Sequence, residues 1–277
     1  MSDRDLTSLD RRGFLQTGAI ATASAVTMAN GSQAAPPPAS KPTLLRRPLG
    51  KTGIDVTMLE LGTWKSPGLQ RLLRVAYDSG VRTYDTADCY GSEPAFKLWF
   101  KAAPEVRKEI FLVTKDHPRS PRELITRIDK RLAAMGTDYV DLFLIHGIGP
   151  GGYGEGSLEW PKSQEFKETI ETLKKSGKAK FVGFSCHDAL RPQYLQAAAE
   201  GGFVDVIMLQ FTPWLDKDSD LNRAIDACHK RGIGLISMKQ VAGHQDLAAV
   251  AKHAPNLIAK GLTPYQALLH AIWTDER

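Results

Sequence analysis

The sequence predicts an α/β chain, a closed (β/α)8 TIM-type barrel entered through an N-terminal β-hairpin. Three observations carry that prediction. From Leu45 onward, short β-rich runs alternate with amphipathic helical patterns, and the runs recur roughly every 30 residues, the length of a βαβ unit. The runs are apolar almost throughout, as strands of a parallel sheet covered by helices must be. No G-x-G-x-x-G follows the first of them, which favours a closed barrel over a doubly wound sheet.

The first 35 residues stand outside this pattern. In "DRRGFLQTGAIATASAVTMANGSQAA", Arg11 and Arg12 precede a weakly apolar Ala/Thr/Val run and small residues ending at Ala35. That order is expected of an export signal, here resembling the twin-arginine type, and it implies the twin-arginine export machinery as a partner and a periplasmic destination. Residues 36–44 follow as a Pro-rich linker that cannot pack as a helix or a central strand. The barrel domain is then expected over residues 45–277.

Within it, "LLRRPLGKTGIDVTML" reads as a hairpin turning near Gly50 to Gly53, and "MLELGTW" as the first barrel strand. Six more strands end at Asp85, Lys115, His146, Ser185, Gln210 and Met238. Between them, "SPRELITRIDKRLAAMG" shows the helical texture. Leu124, Ile125, Ile128, Leu132 and Met135 share a face, Ser120 and Pro121 suit the start, and Gly136 suits the stop. This gives seven strands, and after the helical pattern "TPYQALLHAIWTDER" the chain stops where an eighth should begin. The expectation is a barrel truncated before its eighth strand, or one that closes in an unusual way.

Composition narrows the function. The 42% apolar and 24% charged content is that of a globular domain, and no apolar run reaches the ~18 residues of a membrane span. The net charge of +5 is spread along the chain, so no nucleic-acid partner is expected. Cys89, Cys186 and Cys228 form no metal spacing and no disulfide framework. A metal-dependent hydrolase is disfavoured, because the first strand supplies no histidine and Lys115 would repel a cation; no metal is expected. "GIGPGGYGEGS" lacks the Gly-Lys-Ser/Thr ending of a phosphate loop and reads as a mobile rim loop beside His146. His187 reads as a solvated loop residue that could reach the mouth, and Cys89 as a buried, inert thiol that would be redox-sensitive only if exposed.

Reactive residues of such barrels sit at the C-terminal strand ends. Asp85, Lys115 and His146 end three successive strands, and Tyr90 lies in the loop after the first. Free tyrosine, with a pKa of about 10, is a poor acid. A nearby ammonium lowers that value, so Lys115 would make Tyr90 a better proton donor, Asp85 would hold Lys115, and His146 would place a carbonyl oxygen.

On these residues the chain, from about Arg46 to Arg277, resembles the aldo-keto reductase superfamily. "YDTADCYG" is similar to its aspartate and tyrosine motif, "FLVTK" to its lysine strand, "YVDLFLIH" to its histidine strand, "SGKAKFVGFS" to its fifth strand and "MLQFTPW" to its sixth. The resemblance implies an NADP(H)-dependent reduction of an aldehyde or ketone to an alcohol, with Tyr90 as general acid beside Asp85, Lys115 and His146. It implies NADPH over NADH, a monomer, and cofactor contacts from Thr63, Trp64, Asp85, Ser185, Gln210 and Met238. Cys186 stands where the family commonly has Asn, and Met238 where an aromatic commonly stacks. The competing expectation is a non-catalytic or cofactor-poor barrel that binds a small molecule or a redox partner.

Overall fold

The computed structural model describes residues 43–240 and 247–277. The export signal and nearly all of the Pro-rich linker lie outside these residues. Strands β1 (Arg46–Pro48) and β2 (Asp55–Thr57) pair antiparallel as the expected hairpin. Gly50 and Gly53 take left-handed φ of 52° and 74° in its turn. At Gly50 a β-carbon would also lie 2.4 Å from the Gly232 oxygen and the Gly234 nitrogen, so the turn packs backbone to backbone against the approach to the last strand.

Seven parallel strands follow in chain order as one sheet. They are β3 (Glu60–Gly62), β4 (Thr83–Asp85), β5 (Phe111–Asp116), β6 (Val140–Ile145), β7 (Ala179–Cys186), β8 (Val206–Gln210) and β9 (Gly234–Met238). Every neighbouring pair is parallel, and helices fill the crossovers. These are the seven strands that the sequence alternation marks, each within a few residues. Among the described residues β3 and β9 remain the two edges and do not pair with each other.

Period-2 alternation sorts the strand residues between two cores. Leu112, Phe143, Ile145, Val182, Phe184 and Ile207 face outward into the layer shared with the helices. Phe111, Val113, Leu142, Leu144, Val206 and Met208 face inward and pack with Leu49, which the hairpin inserts from below. The inner core thus comprises one apolar cluster whose floor is the hairpin. At Gly183 in β7 a β-carbon would lie 1.8 Å from the Val206 oxygen, so this glycine permits the close approach of β7 and β8.

The helix Leu124–Met135 buries Leu124, Ile128, Leu132 and Met135 and ends on Gly136 in the left-handed conformation, as its pattern predicts. It starts later than expected, because Pro121–Glu123 forms a 3-10 turn first. The last helix, Pro264–Trp273, begins with a capping box between Thr263 and Gln266. Its far end is tied to the hairpin region: Trp273 Nε1 donates to the Met58 oxygen at 3.0 Å, and Arg47 Nη2 donates to the Trp273 oxygen at 2.8 Å. No helix of the described residues is long and apolar enough to cross a membrane.

Candidate active site

The inward register carries the site. Lys115 lies two residues beyond Val113, and His146 two beyond Leu144, so both continue the inward row at the C-terminal end of the sheet. Asp85 ends β4, and Tyr90 closes the 3-10 turn Asp88–Tyr90 that follows it. A cavity of about 620 Å³ runs from the hairpin to this mouth, and Asp85, Tyr90, His146 and Ser185 line it.

Lys115 is 1% exposed and sits beneath the cavity wall. Its ammonium is paired with the buried Asp85 carboxylate and donates to the Thr86 oxygen at 3.0 Å. A buried ammonium needs such partners, since desolvation of an isolated charge costs several kcal/mol. Burial pushes the Asp85 carboxyl up, while its bond to Lys115 pulls it down. Lys115 Nζ also lies 5.0 Å from the centre of the Tyr90 ring, over its face.

Tyr90 differs from the sequence expectation in its acidity. Burial, followed by the Asp85 carboxylate, raises its phenol above the usual range. Lys115 is paired with Asp85 and meets the ring face rather than the hydroxyl, so its charge does not overcome that rise. The phenol therefore holds its proton across the neutral range.

The Tyr90 hydroxyl lies 3.5 Å from His146 Nε2, and His146 Nδ1 lies 3.6 Å from Cys89 Sγ. Burial first, then the Lys115 charge, lowers His146 far below the ordinary imidazole value. It is a neutral ring, suited to hydrogen bonding and not to proton release. When Nδ1 accepts from the Cys89 thiol, Nε2 carries the hydrogen and directs it to the space beside Tyr90.

The 3-10 turn bearing Tyr90 is anchored from behind. Arg131 of the helix Leu124–Met135 pairs with Asp88 and with Glu93, the latter at 3.2 Å. A hydroxyl chain ties the neighbouring strand ends: Thr63 Oγ1 donates to the Asp85 oxygen at 2.8 Å, and the Ser92 hydroxyl lies 2.8 Å from Thr63 Oγ1 and 2.6 Å from Thr86 Oγ1.

The residues assigned to cofactor contact divide. Trp64, Asp85, Ser185 and Met238 line the cavity. Thr63 is buried and engaged in the hydroxyl chain, and Gln210, half-buried at the end of β8, is not among the cavity-lining residues. His187 is exposed and does line the cavity. The glycine-rich rim segment is packed to the strand ends, with the Gly147 amide donating to Ser185 Oγ at 2.8 Å and the Tyr153 hydroxyl to the His146 oxygen at 3.2 Å.

Two cavity residues went unnoticed in sequence. Glu60 of β3 is half-buried and lines the cavity, where desolvation first and Asp85 second push its carboxyl up to about 8, against the pull of Lys115. A charged residue within the apolar run "MLELGTW" was the signal for it. Gln240 is 8% exposed, and its Oε1 has no hydrogen-bond partner among the described residues. Its Nε2 donates to the Phe211 and Met238 oxygens, both at 2.9 Å.

Those features suit an amide-bearing ligand. Ser185 Oγ accepts from the Gly147 amide, leaving its own hydrogen to donate, and the Gln240 oxygen, without a partner among the described residues, is a ready acceptor. A carboxamide, with one acceptor and two donor hydrogens, matches the pair.

A parallel sheet curled around an apolar core, with a tyrosine, a histidine and a buried Lys–Asp pair at one mouth, is of the α/β-barrel class. Comparison with known proteins places it further: the aldo/keto reductase family model matches residues 59–249, and the chain belongs to that family. It is 26% identical over 238 residues to the D-galacturonate reductase of Hypocrea jecorina, covering 78% of this chain and 75% of that one. It is 25% identical over 221 residues to the L-glyceraldehyde 3-phosphate reductase of Escherichia coli (strain K12), covering 70% of this chain and 60% of that one. With aldo-keto reductase family 1 member A1 of Mus musculus it shares 28% over 259 residues, 82% of this chain and 76% of that one. Among solved structures, a thermostable aldo-keto reductase, Tm1743, in complex with the inhibitor epalrestat has the same fold, with a TM-score of 0.63 and 23% identity over 81% of this chain and 84% of that one.

Proposed function

We propose that this chain reduces an aldehyde or ketone to an alcohol, with NADPH preferred over NADH as hydride donor. The observation that carries the reading is the convergence of Asp85, Tyr90 and His146 on one cavity with Lys115 paired beneath it. When bound, a reduced nicotinamide would supply the hydride for the carbonyl carbon. Ser185 and Gln240 would hold its carboxamide, with Trp64 and Met238 bordering the same space.

Tyr90 delivers its proton to the carbonyl oxygen as negative charge develops there. Its position next to His146 Nε2 lets the imidazole N–H hold that oxygen in place. Lys115 does not touch the hydroxyl. Its charge lies over the Tyr90 ring, 5.0 Å from the ring centre, on the side from which it attracts the phenolate left after transfer. Asp85 holds Lys115 in place. The preference for NADPH rests on the family resemblance. Export by the twin-arginine route to the periplasm belongs to the same proposal and rests on Arg11, Arg12 and the run that follows them.

The test is a titration with NADPH and with NADH, read by nicotinamide fluorescence, followed by absorbance decay on adding an aromatic aldehyde. Saturable binding, tighter for NADPH, with turnover is the expected result. A folded sample that binds neither nucleotide overturns the proposal.

A further inference from the structure

Three strand ends bring a thiol and two imidazoles together at the rim of the barrel. Cys89 lies in the turn after β4, His117 directly follows β5, and His146 directly follows β6. One ligand atom from each lies within 4.8 Å of the other two. The rings of His117 and His146 are 4.4 Å apart between centres, inclined at 37°. A tetrahedral zinc with Zn–S of about 2.3 Å and Zn–N of about 2.05 Å has an S···N edge of about 3.6 Å. The gap between Cys89 Sγ and His146 Nδ1 is 3.6 Å.

We propose that Cys89, His117 and His146 form a binding site for a thiophilic divalent cation, zinc above all. One sulfur and two imidazole nitrogens are the donor set that selects zinc over magnesium or calcium, which take oxygen ligands. Three protein ligands leave a fourth position for water or a small ligand.

The surrounding structure holds the ligands in place. Both histidines hang from Asp116: the His117 amide donates to its Oδ1 at 2.7 Å, and the His146 amide to its backbone oxygen at 2.9 Å. Asp116 is itself fixed by Arg127 at 2.8 Å. Asp88, next to Cys89, is held by Arg131. Such outer contacts are what keep a ligand set in register. Cys89 and His117 are exposed and His146 is half-buried, so a cation enters from solvent. The Lys115 charge that argued against a metal is offset by its pairing with Asp85. Ligation through Nδ1 leaves the hydrogen of His146 on Nε2, the nitrogen that faces Tyr90.

This site stands independently of the reductase reading, and its test needs no turnover. The full, reduced, metal-stripped chain is titrated with cobalt(II) by absorbance and with zinc by competition. One cobalt per chain is expected, with a thiolate-to-cobalt charge-transfer band. The band disappears in Cys89→Ser, and zinc affinity falls by roughly tenfold or more in both Cys89→Ser and His117→Gln, with circular dichroism showing both variants folded. Absence of the band in the wild type overturns the proposal. So does equal zinc affinity in the wild type and the Cys89→Ser/His117→Gln double variant, which would assign binding to other groups.

Discussion

At the residue scale, the Lys115–Asp85 pair and Glu60 set the electrostatics beneath Tyr90. Lys115→Met leaves the Asp85 carboxylate buried without its counter-charge, a loss of about 3 to 5 kcal/mol that urea unfolding will show at neutral pH. Asp85→Asn/Lys115→Met, which removes both charges, should recover much of that stability without recovering turnover. Glu60 makes a pH-dependent contribution. Its carboxyl sits at about 8 in the fold against 4.5 for an ordinary glutamate, so the folded state binds the proton more tightly than the unfolded state does. Its contribution is fully present below the unfolded value and is lost as pH rises through the folded one. Between pH 5 and pH 8 the wild type should therefore lose stability relative to Glu60→Gln, as read by denaturant midpoints at each pH. Equal slopes would show that Glu60 is ionised in the fold.

At the element scale, the strand ends explain how much of the site was legible in the sequence. Asp85, Lys115 and His146 could be found because each lies within one residue of the end of a strand whose inward row is fixed by alternation, and Tyr90 because it closes the short turn after β4. The cluster of Cys89, His117 and His146 was not legible in the same way. It depends on the register of β5 against β6, where Asp116 pairs with Ile145 and brings the next residues, His117 and His146, side by side. The expected acidity of Tyr90 also failed at this level, since sequence order shows that Lys115 is near but not which side of the ring it meets. Gly183 looked like any strand glycine, yet it is the contact point of two strands. Gly183→Ala forces β7 away from β8, because its β-carbon would meet the Val206 oxygen at 1.8 Å. Unfolding should show a loss of about 3 kcal/mol, the upper part of the usual overpacking range. A loss below 1 kcal/mol would mean that the two strands separate without cost.

At the scale of the whole molecule, the alternation of strand and helix was enough to identify the barrel architecture and the seven strands in order, whereas the packing of the hairpin's Leu49 under the inner core was not readable. The relation between the two edge strands was not readable, because it is decided by long-range contacts. Trp273 and Arg47, far apart in sequence, join the last helix to the hairpin region, and no local pattern announces that. The cavity between hairpin and mouth is a product of this arrangement, and the proposed chemistry depends on it. Tyr90→Phe tests that chemistry most directly, because it removes one oxygen from the mouth and leaves the ring, the Lys115–Asp85 pair and the cavity walls in place. The measurement is kcat for an aromatic aldehyde in wild type and variant, together with NADPH affinity by fluorescence titration. The account predicts unchanged nucleotide affinity and a kcat lower by about 10² to 10⁴, the range lost with a general acid. Turnover at the wild-type rate would contradict it and remove Tyr90 as the proton donor.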